Sequence, residues 1–432
     1  MSKSLVFLLI VLLSVASAQA ALADFLEPLQ THPSLLAAQA ELNAAERNLN
    51  AAFDPVSVEL SGSYLRFDTD DIDADPQTPG DQGLPVNGGA FDVDVSLRPF
   101  PFGSIADGVT QQKIALERSR LEYRRTLASL EVQALEAALN VQLAQEGLSL
   151  ARTGAALSSQ ALDATEIRFE RGAANERELR EARSGELAAQ TRVTDAAARL
   201  ELAQTSLESY VGGVAAPQDI ALSIPEGTTL GVLSAELGLA GAELAYRSAS
   251  RGVYPVLSAG YSWNLDENNS LGISIESRTL QPNLSYSFED PAQSQTGING
   301  SFSLGLSASL SPGLFEQLAA VEEQLSGAKV ALAAAQDEAE RQLAALESAL
   351  AEAERALELN SLLLENAQLR LTETQQREEL GLSIPLETQE AVLELNEAAL
   401  DVSQARQDVF AALADSYELY AQPVSTHSKG QP

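Results

Sequence analysis

The sequence contains one pattern of predicted elements twice, and this repeat restricts the chain to a fold with two similar halves. Each half predicts a helix, two strands, a long helix, a glycine-centred turn and a further helix. Six residues recur 200 positions later: Ser34, Ala40, Ala45, Arg47, Pro55 and Val56 return as Ser234, Ala240, Ala245, Arg247, Pro255 and Val256. The predicted organisation is a signal peptide (1–20), a first repeat (21–211), a linker (212–231), a second repeat (232–420) with an extra β insertion (264–297), and a tail (421–432).

The first twenty residues have the pattern of a cleaved export signal. Lys3 precedes an apolar run over residues 5–13, and the small residues Ala18 and Ala20 suit a cleavage site. The run is too short to cross about 30 Å of hydrocarbon as a helix. Ala21 follows, so there is no cysteine to carry a lipid. Since no other apolar stretch approaches the length of a membrane helix, any membrane crossing would have to be made by strands.

The helices are predicted to be long and to pack as coiled coils. Helical stretches without proline cover about 106–170 and 314–380, and shorter helices follow them to about Tyr210 and Tyr420. In the second long helix, apolar residues and one asparagine recur at two heptad positions: Leu343, Leu350, Leu357, Leu364 and Leu371, with Ala339, Leu346, Ala353, Asn360 and Ala367. A repeat of 3.5 residues predicts left-handed coiled-coil packing.

The predicted strands alternate between apolar and polar residues. Phe91, Val93, Val95 and Leu97, for example, alternate with Asp92, Asp94, Ser96 and Arg98, and the regions 53–104 and 254–315 hold 13 of the 22 aromatic residues. Strands that face lipid on one side and a water-filled lumen on the other have this pattern. A soluble sandwich or barrel alternates equally well. The alternation therefore leaves both structures open, and the export signal and the aromatic residues favour the membrane.

The composition excludes several classes of function. A formal net charge of −34 argues against a nucleic-acid partner. The chain has no cysteine and only His32 and His427, so it lacks the residues for zinc, thiolate or Ser-His chemistry. We predict no enzyme activity, no cofactor and no metal site. One acidic loop (Asp68, Asp70, Asp71, Asp73, Asp75) offers oxygen ligands for calcium, but the EF-hand pattern fails at Pro76 and Gln82, and a solvated loop is the simpler interpretation.

The order of elements and several local motifs resemble the TolC family of outer-membrane efflux and secretion channels. The resemblance covers about residues 24–420. Its motifs are the opening at His32-Pro33-Ser34-Leu35, the turn Phe169-Glu170-Arg171-Gly172 with Glu181-Ala182 after it, and the turn at Leu380-Gly381-Leu382-Ser383-Ile384-Pro385 with Glu390-Ala391 after it. Each motif alone is degenerate, but their order, repeated twice, is specific.

The resemblance implies an α+β membrane protein that acts in transport. Its long antiparallel coiled-coil helices would form a periplasmic α-barrel, and its strands would contribute to a transmembrane β-barrel shared by a homotrimer, four strands from each chain. The implied function is the exit duct of a tripartite efflux pump or a type I secretion system, for small molecules or polypeptides. The implied partners are a periplasmic adaptor protein, an inner-membrane pump and outer-membrane lipid. The alternating runs at 264–297 depart from the family pattern and leave the strand count open.

The two glycine-centred turns are the expected periplasmic tip, where the resemblance implies contact with the adaptor. The predicted contact residues are Gly172, Ala173, Gly381, Leu382, Ser383 and Pro385. A glycine or proline between helices also has a purely structural role as a chain reversal. The resemblance further implies acids at the tunnel entrance, for which Glu176, Glu178 and Glu387 are the predicted residues. The first turn lacks the Leu-Ser pair of the second, so we expect the two turns to engage a partner unequally.

Two other classes of function fit parts of the sequence. A secreted or surface coiled-coil scaffold or adhesin with a small soluble β-domain would share the export signal and the heptads, and it would be extracted from envelopes without detergent. A carboxylate-based hydrolase would need a folded cleft with two convergent acids, which a repeat of long helices does not supply.

Overall fold

The structure is a computed structural model that describes residues 22–52, 54–65, 88–98, 100–212, 222–266, 268–290, 300–308, 311–380, 382 and 385–427. After a 3-10 helix (Glu27–Thr31), the first half contains α1 (Pro33–Ala51), β1 (Val56–Leu65), β2 (Gly88–Leu97), α2 (Ser104–Glu170) and α3 (Glu176–Val211). The second half contains α4 (Leu230–Gly252), β3 (Val256–Asn264), β4 (Asn269–Glu276), β5 (Pro282–Asp290), β6 (Gly300–Ser307), α5 (Pro312–Glu379), α6 (Pro385–Tyr420) and the short α7 (Val424–His427).

Some sequence predictions lie outside these residues, namely the signal peptide, the acidic loop after β1, part of the linker (213–221) and the end of the tail (428–432). Within the described ranges, no helix contains a stretch of 18 residues apolar enough to span a membrane.

The lengths of the helices agree with the internal repeat. α2 and α5 have 67 and 68 residues, and α3 and α6 have 36 each. The first helix of the repeat is interrupted near its start, because His32 is extended (φ −66°, ψ 134°) between the 3-10 helix and α1. A residue that precedes a proline is disfavoured in the helical region, and Pro33 follows His32 directly.

The chain folds as two compact units, each with segments from both halves. The helical unit contains residues up to 41, residues 120–234 and residues from 334 onward. Here α2 lies antiparallel to α6, with Asn140 bonded to Gln407 at 2.7 Å and Thr153 to Asn396 at 3.3 Å. Apolar residues of the N-terminal segment, α2, α3, α6 and α7 form its core: Phe25, Leu29, Val132, Leu135, Val211, Phe410, Tyr417 and Val424.

The heptad pattern of α5 marks the face on which this helix packs. All ten predicted seam positions are partly or fully buried, and Leu346 and Ala367 are the most enclosed of them. Asn360, the polar seam residue, donates a hydrogen bond to the carbonyl oxygen of Asp401 in α6 (3.3 Å). The predicted coiled-coil packing is confirmed within the helical unit.

The sheet unit (42–119 and 235–333) is built around one antiparallel sheet with the strand order β1-β2-β5-β4-β3-β6. β4 and β5 come from the predicted insertion at 264–297 and lie between β2 and β3. The described part of the chain therefore has six strands, two more than the four per chain that the resemblance implies, and the two additional strands come from the segment that left the strand count open. The inserted strands pair with β2, with β3 and with each other, so the sheet satisfies their backbone hydrogen bonds.

A close backbone approach joins the sheet to the helices inside the sheet unit. Gly103, just before α2, has φ +59°, and a Cβ atom there would lie 1.9 Å from the carbonyl oxygen of Arg278, in the turn after β4. Arg251 of α4 donates to the carbonyl oxygen of Gly103 (2.8 Å) and pairs with the buried Asp107 of α2. Only glycine fits position 103 without a shift of the backbone.

One carboxylate is enclosed in the core of the helical unit. Glu131 of α2 is 2% exposed and accepts a hydrogen bond from the backbone N–H of Ser425 (3.1 Å). Burial raises the pKa of Glu131, and hydrogen bonds from Ser425 and Val424 oppose that rise only in part. The pKa of Glu136 is also raised, mainly by burial and to a smaller extent by repulsion from acids of α6. The stability of this unit therefore depends on pH.

We predict that Gly103→Ala destabilises the protein by at least about 2 kcal/mol, because the new Cβ atom overlaps Arg278 and the backbone is left-handed. Gly108→Ala is the matched control: nothing lies within 4 Å of its Cβ position in α2, so it should be neutral or stabilising by up to about 1 kcal/mol. Thermal unfolding followed by circular dichroism measures both. Equal melting temperatures for the two variants would contradict the close approach.

We predict that Glu131→Gln changes how stability depends on pH. A carboxyl with a raised folded-state pKa stabilises the protein fully below its ordinary pKa of 4.5 and loses that contribution as the pH rises through the folded value. The variant should therefore gain on the wild type with rising pH, by about 1.4 kcal/mol for each unit of the pKa rise. Glu347→Gln, at an exposed position of α5, is the control. If the free energies of unfolding of the wild type and Glu131→Gln changed with pH in the same way, the raised pKa of Glu131 would be contradicted.

Candidate functional site

The first turn, residues 171–175 between α2 and α3, is fixed by its own backbone. Gly172 has φ +71°, and its N–H donates to the carbonyl oxygen of Phe169 (2.9 Å), while the N–H of Ala173 donates to that of Arg168 (2.8 Å). This pair of bonds is a Schellman motif. Asn175 and Glu178 then form a reciprocal capping box at the start of α3. The chain-reversal role predicted for Gly172 is confirmed.

The second turn, residues 380–384 between α5 and α6, exposes apolar side chains. Leu380 and Leu382 are 74% and 68% exposed. The N–H of Leu382 donates to the carbonyl oxygen of Arg377 (2.8 Å), which closes the end of α5. Thr388 of α6 donates a hydrogen bond to Glu378 of α5, so the two helices are tied beside the turn. Pro385 begins α6, as its preference for a first helical position favours; Gly381 and Ser383 lie outside the described residues.

The predicted entrance acids have structural contacts in the chain. Glu176 forms an ion pair with Arg180, and Glu178 accepts the backbone N–H of Asn175 at 3.1 Å in the capping box. Glu387 is exposed in the first turn of α6, where a carboxylate interacts favourably with the helix dipole. Arg183 also pairs with Glu166 across the two helices of the first turn (2.9 Å). The surface near the first turn thus carries paired charges, whereas the second turn presents leucines.

A groove of about 760 Å³ runs along α2, α3 and α6 in the helical unit. Small residues form much of its floor, including Gly147, Gly154, Gly185, Ala188 and Ala189. Such residues permit a helix backbone to approach closely, as alanines do at coiled-coil seams. Arg192, Asp195 and Glu397 supply charges at the groove.

The sheet has one apolar face and one polar face. One row across all six strands is apolar: Val58, Val95, Leu284, Ile273, Tyr261 and Phe302. The adjacent row is small or charged: Glu59, Asp94, Ser285, Gly272, Ser262 and Ser301. Asp92 shares this polar face. The sequence pattern placed Asp92 and Asp94 on a polar face but did not single out the acids, because only the strand register brings Glu59 beside Asp94.

These surfaces offer apolar contacts and electrostatic interactions. Across the described ranges, no group of three or more His, Cys, Asp or Glu residues is arranged to hold a metal ion. The turns offer exposed leucines and paired charges, and the sheet offers an acidic polar face.

The sequence was compared with known protein families and with curated proteins. Residues 27–213 match the family of outer membrane efflux proteins. No curated protein sequence matches the chain significantly.

Solved outer-membrane channels share the fold. Three structural alignments each include 94% of this chain. They are with CmeC of Campylobacter jejuni (14% identity, 85% of that chain covered, TM-score 0.65), VceC of Vibrio cholerae (14% identity, 97% covered, TM-score 0.62) and MtrE of Neisseria gonorrhoeae (15% identity, 89% covered, TM-score 0.62). The predicted resemblance is thus supported in two ways: residues 27–213 are similar in sequence to outer membrane efflux proteins, and almost the whole chain shares the fold of outer-membrane channels.

Proposed function

We propose that three copies of this chain form a channel that is the exit duct of a tripartite efflux pump or a type I secretion system. The observation that carries the proposal is the two-faced sheet, whose apolar side suits lipid and whose polar side suits a water-filled lumen. The sheet has unpaired outer edges at β1 and β6 within the chain. Hydrocarbon does not tolerate open edges, so a sheet in a membrane has to close with further strands.

The exposure of the apolar face favours a channel over a secreted scaffold or adhesin. A soluble β-domain would cover its apolar face with other parts of its own unit. In this sheet Leu60, Phe302, Leu304 and Leu306 are 65–74% exposed. A surface of this kind requires lipid or another apolar partner.

The duct would act without a chemical step. At rest, helix pairs that curl inward at the periplasmic end would close the tunnel. Contact with an adaptor protein and an energised inner-membrane pump would open it by untwisting those pairs. Small molecules or polypeptides would then leave through the lumen.

The two turns are the proposed adaptor contacts, with Gly172 and Ala173 in the first, and Gly381, Leu382, Ser383 and Pro385 in the second. The exposed leucines of the second turn support this role, because they present apolar surface at the end of a helix pair. The groove along α2, α3 and α6 supports a helical partner. Glu176, Glu178 and Glu387 are proposed to give the tunnel entrance its negative charge.

We predict that acidic replacements at the second turn, Leu382→Glu with Ser383→Glu, abolish export, because they place charge where an apolar contact is proposed. The assay is restoration of export in a native-host strain that lacks the chain, with trimers checked by native mass. Leu382→Met keeps the apolar surface and should retain export. Normal export by the acidic variant would refute the contact assignment.

We predict that the detergent-purified protein produces discrete, cation-selective openings in a planar bilayer, because the polar face of the sheet is acidic. Reversal potentials in a salt gradient measure the selectivity. Replacing Glu59, Asp92 and Asp94 by their amides should shift the reversal potential toward that of an unselective pore. A protein that opens no channels and stays soluble without detergent would favour the scaffold instead.

A further inference from the structure

We infer that all six strands belong to the wall of the transmembrane barrel, so that a trimer closes a barrel of eighteen strands. Four strands per chain would give a barrel of twelve. The inference rests on the proposed trimeric channel. The alternative arrangement would pair β2 with β3 and leave the β4–β5 hairpin outside the wall.

The inserted hairpin continues both faces of the sheet. Its apolar side chains, Leu271, Ile273, Ile275, Leu284 and Tyr286, lie in the same rows as the apolar residues of the flanking strands. Its polar side chains are small: Ser270, Ser274, Asn283, Ser285 and Ser287. In a hairpin that projects into water, no burial in lipid would favour the register that aligns its apolar residues with a lipid-facing surface.

The hairpin also spans the full height of the sheet. At one end, the turn after β4 is bonded to the base of β3, since the N–H of Ser277 donates to the carbonyl oxygen of Leu257 (2.8 Å). The same turn touches Gly103 at the start of α2. At the other end, the N–H of Glu289 in β5 donates to the carbonyl oxygen of Asn268, just before β4 (3.0 Å). Strands of 8 and 9 residues match the 8–10 residues of the other four.

The edges of the six-stranded sheet fit a second copy of this chain. All neighbouring strands are antiparallel, so with six strands β1 and β6 run in opposite directions. Rotation about an axis along the wall therefore places β6 of one copy antiparallel to β1 of the next. The facing backbone donors and acceptors of the two edges can then pair with each other.

A wider lumen is the functional consequence. The diameter of a barrel grows roughly linearly with strand number, so eighteen strands give a wall about 1.5 times as wide as twelve. On their polar face the added strands carry acids only near their ends, Glu276 in β4 and Glu289 in β5, with small or uncharged residues between them. The middle of the wall thus gains width without further acids, which suits bulky cargo.

Paired cysteines in the full-length chain, which has none of its own, test the strand order in the membrane. Asp94→Cys with Ser285→Cys joins directly opposite residues of β2 and β5, and a disulfide should form on oxidation. Asp94→Cys with Ser262→Cys is the control: both lie in one row but three strand spacings apart, about 14 Å, and should not link. Mass spectrometry of the linked peptides identifies the bond. The reverse result, with only the control pair linked, would overturn the inference.

Strand counting in a cryo-electron microscopy reconstruction of the protein in lipid nanodiscs separates the two proposals. A trimer with eighteen wall strands supports both. A trimer with twelve wall strands and the hairpin outside overturns the inference and leaves the proposed channel intact. A protein that does not insert its sheet or does not form trimers overturns the proposed function, and the inference with it.

Discussion

The antiparallel register of the six strands is the constraint on which the sheet unit depends. Side chains alternate along a strand, so pairing in register places each residue on one of the two faces of the sheet. A shift of one strand by one residue would exchange its apolar and polar faces. Val58 and Phe302, at opposite edges, share an apolar row only because each intervening pair is in register. Local hydrogen bonds thus produce a lipid-compatible surface that extends across the whole sheet.

The helical unit depends on a different rule. Long helices with a narrow apolar seam pack in pairs, and the small residues beside them leave room for a further helix. Most of its ion pairs are exposed and contribute little to stability. Tertiary order comes from the core between the N-terminal segment, α2, α6 and the ends of α3 and α7, where Glu131 is a buried carboxylate among mostly apolar side chains.

Much of this architecture was predictable, because it is encoded by local periodicity. The helix boundaries of α2 and α5 lie within about two residues of prediction, and the α5 seam is buried as the heptads require. The alternation around 264–297 was visible, but the place of these strands was not, because alternation defines faces and not neighbours. At the first turn, the signature of a capping box was present in Asn175 and Glu178, yet Glu178 was assigned to the tunnel entrance on resemblance alone. The acids of the sheet required the register to be recognised as a group.

The position of the β4–β5 hairpin has an evolutionary consequence. A hairpin inserted between two antiparallel neighbours always adds one strand in each direction, so the directions of the outer strands do not change. In the proposed trimer, the edges through which copies would meet and the circumference that they would enclose are therefore independent traits. One local insertion or loss can therefore change the bore of the proposed channel, while the edge strands through which its subunits would meet keep the same design.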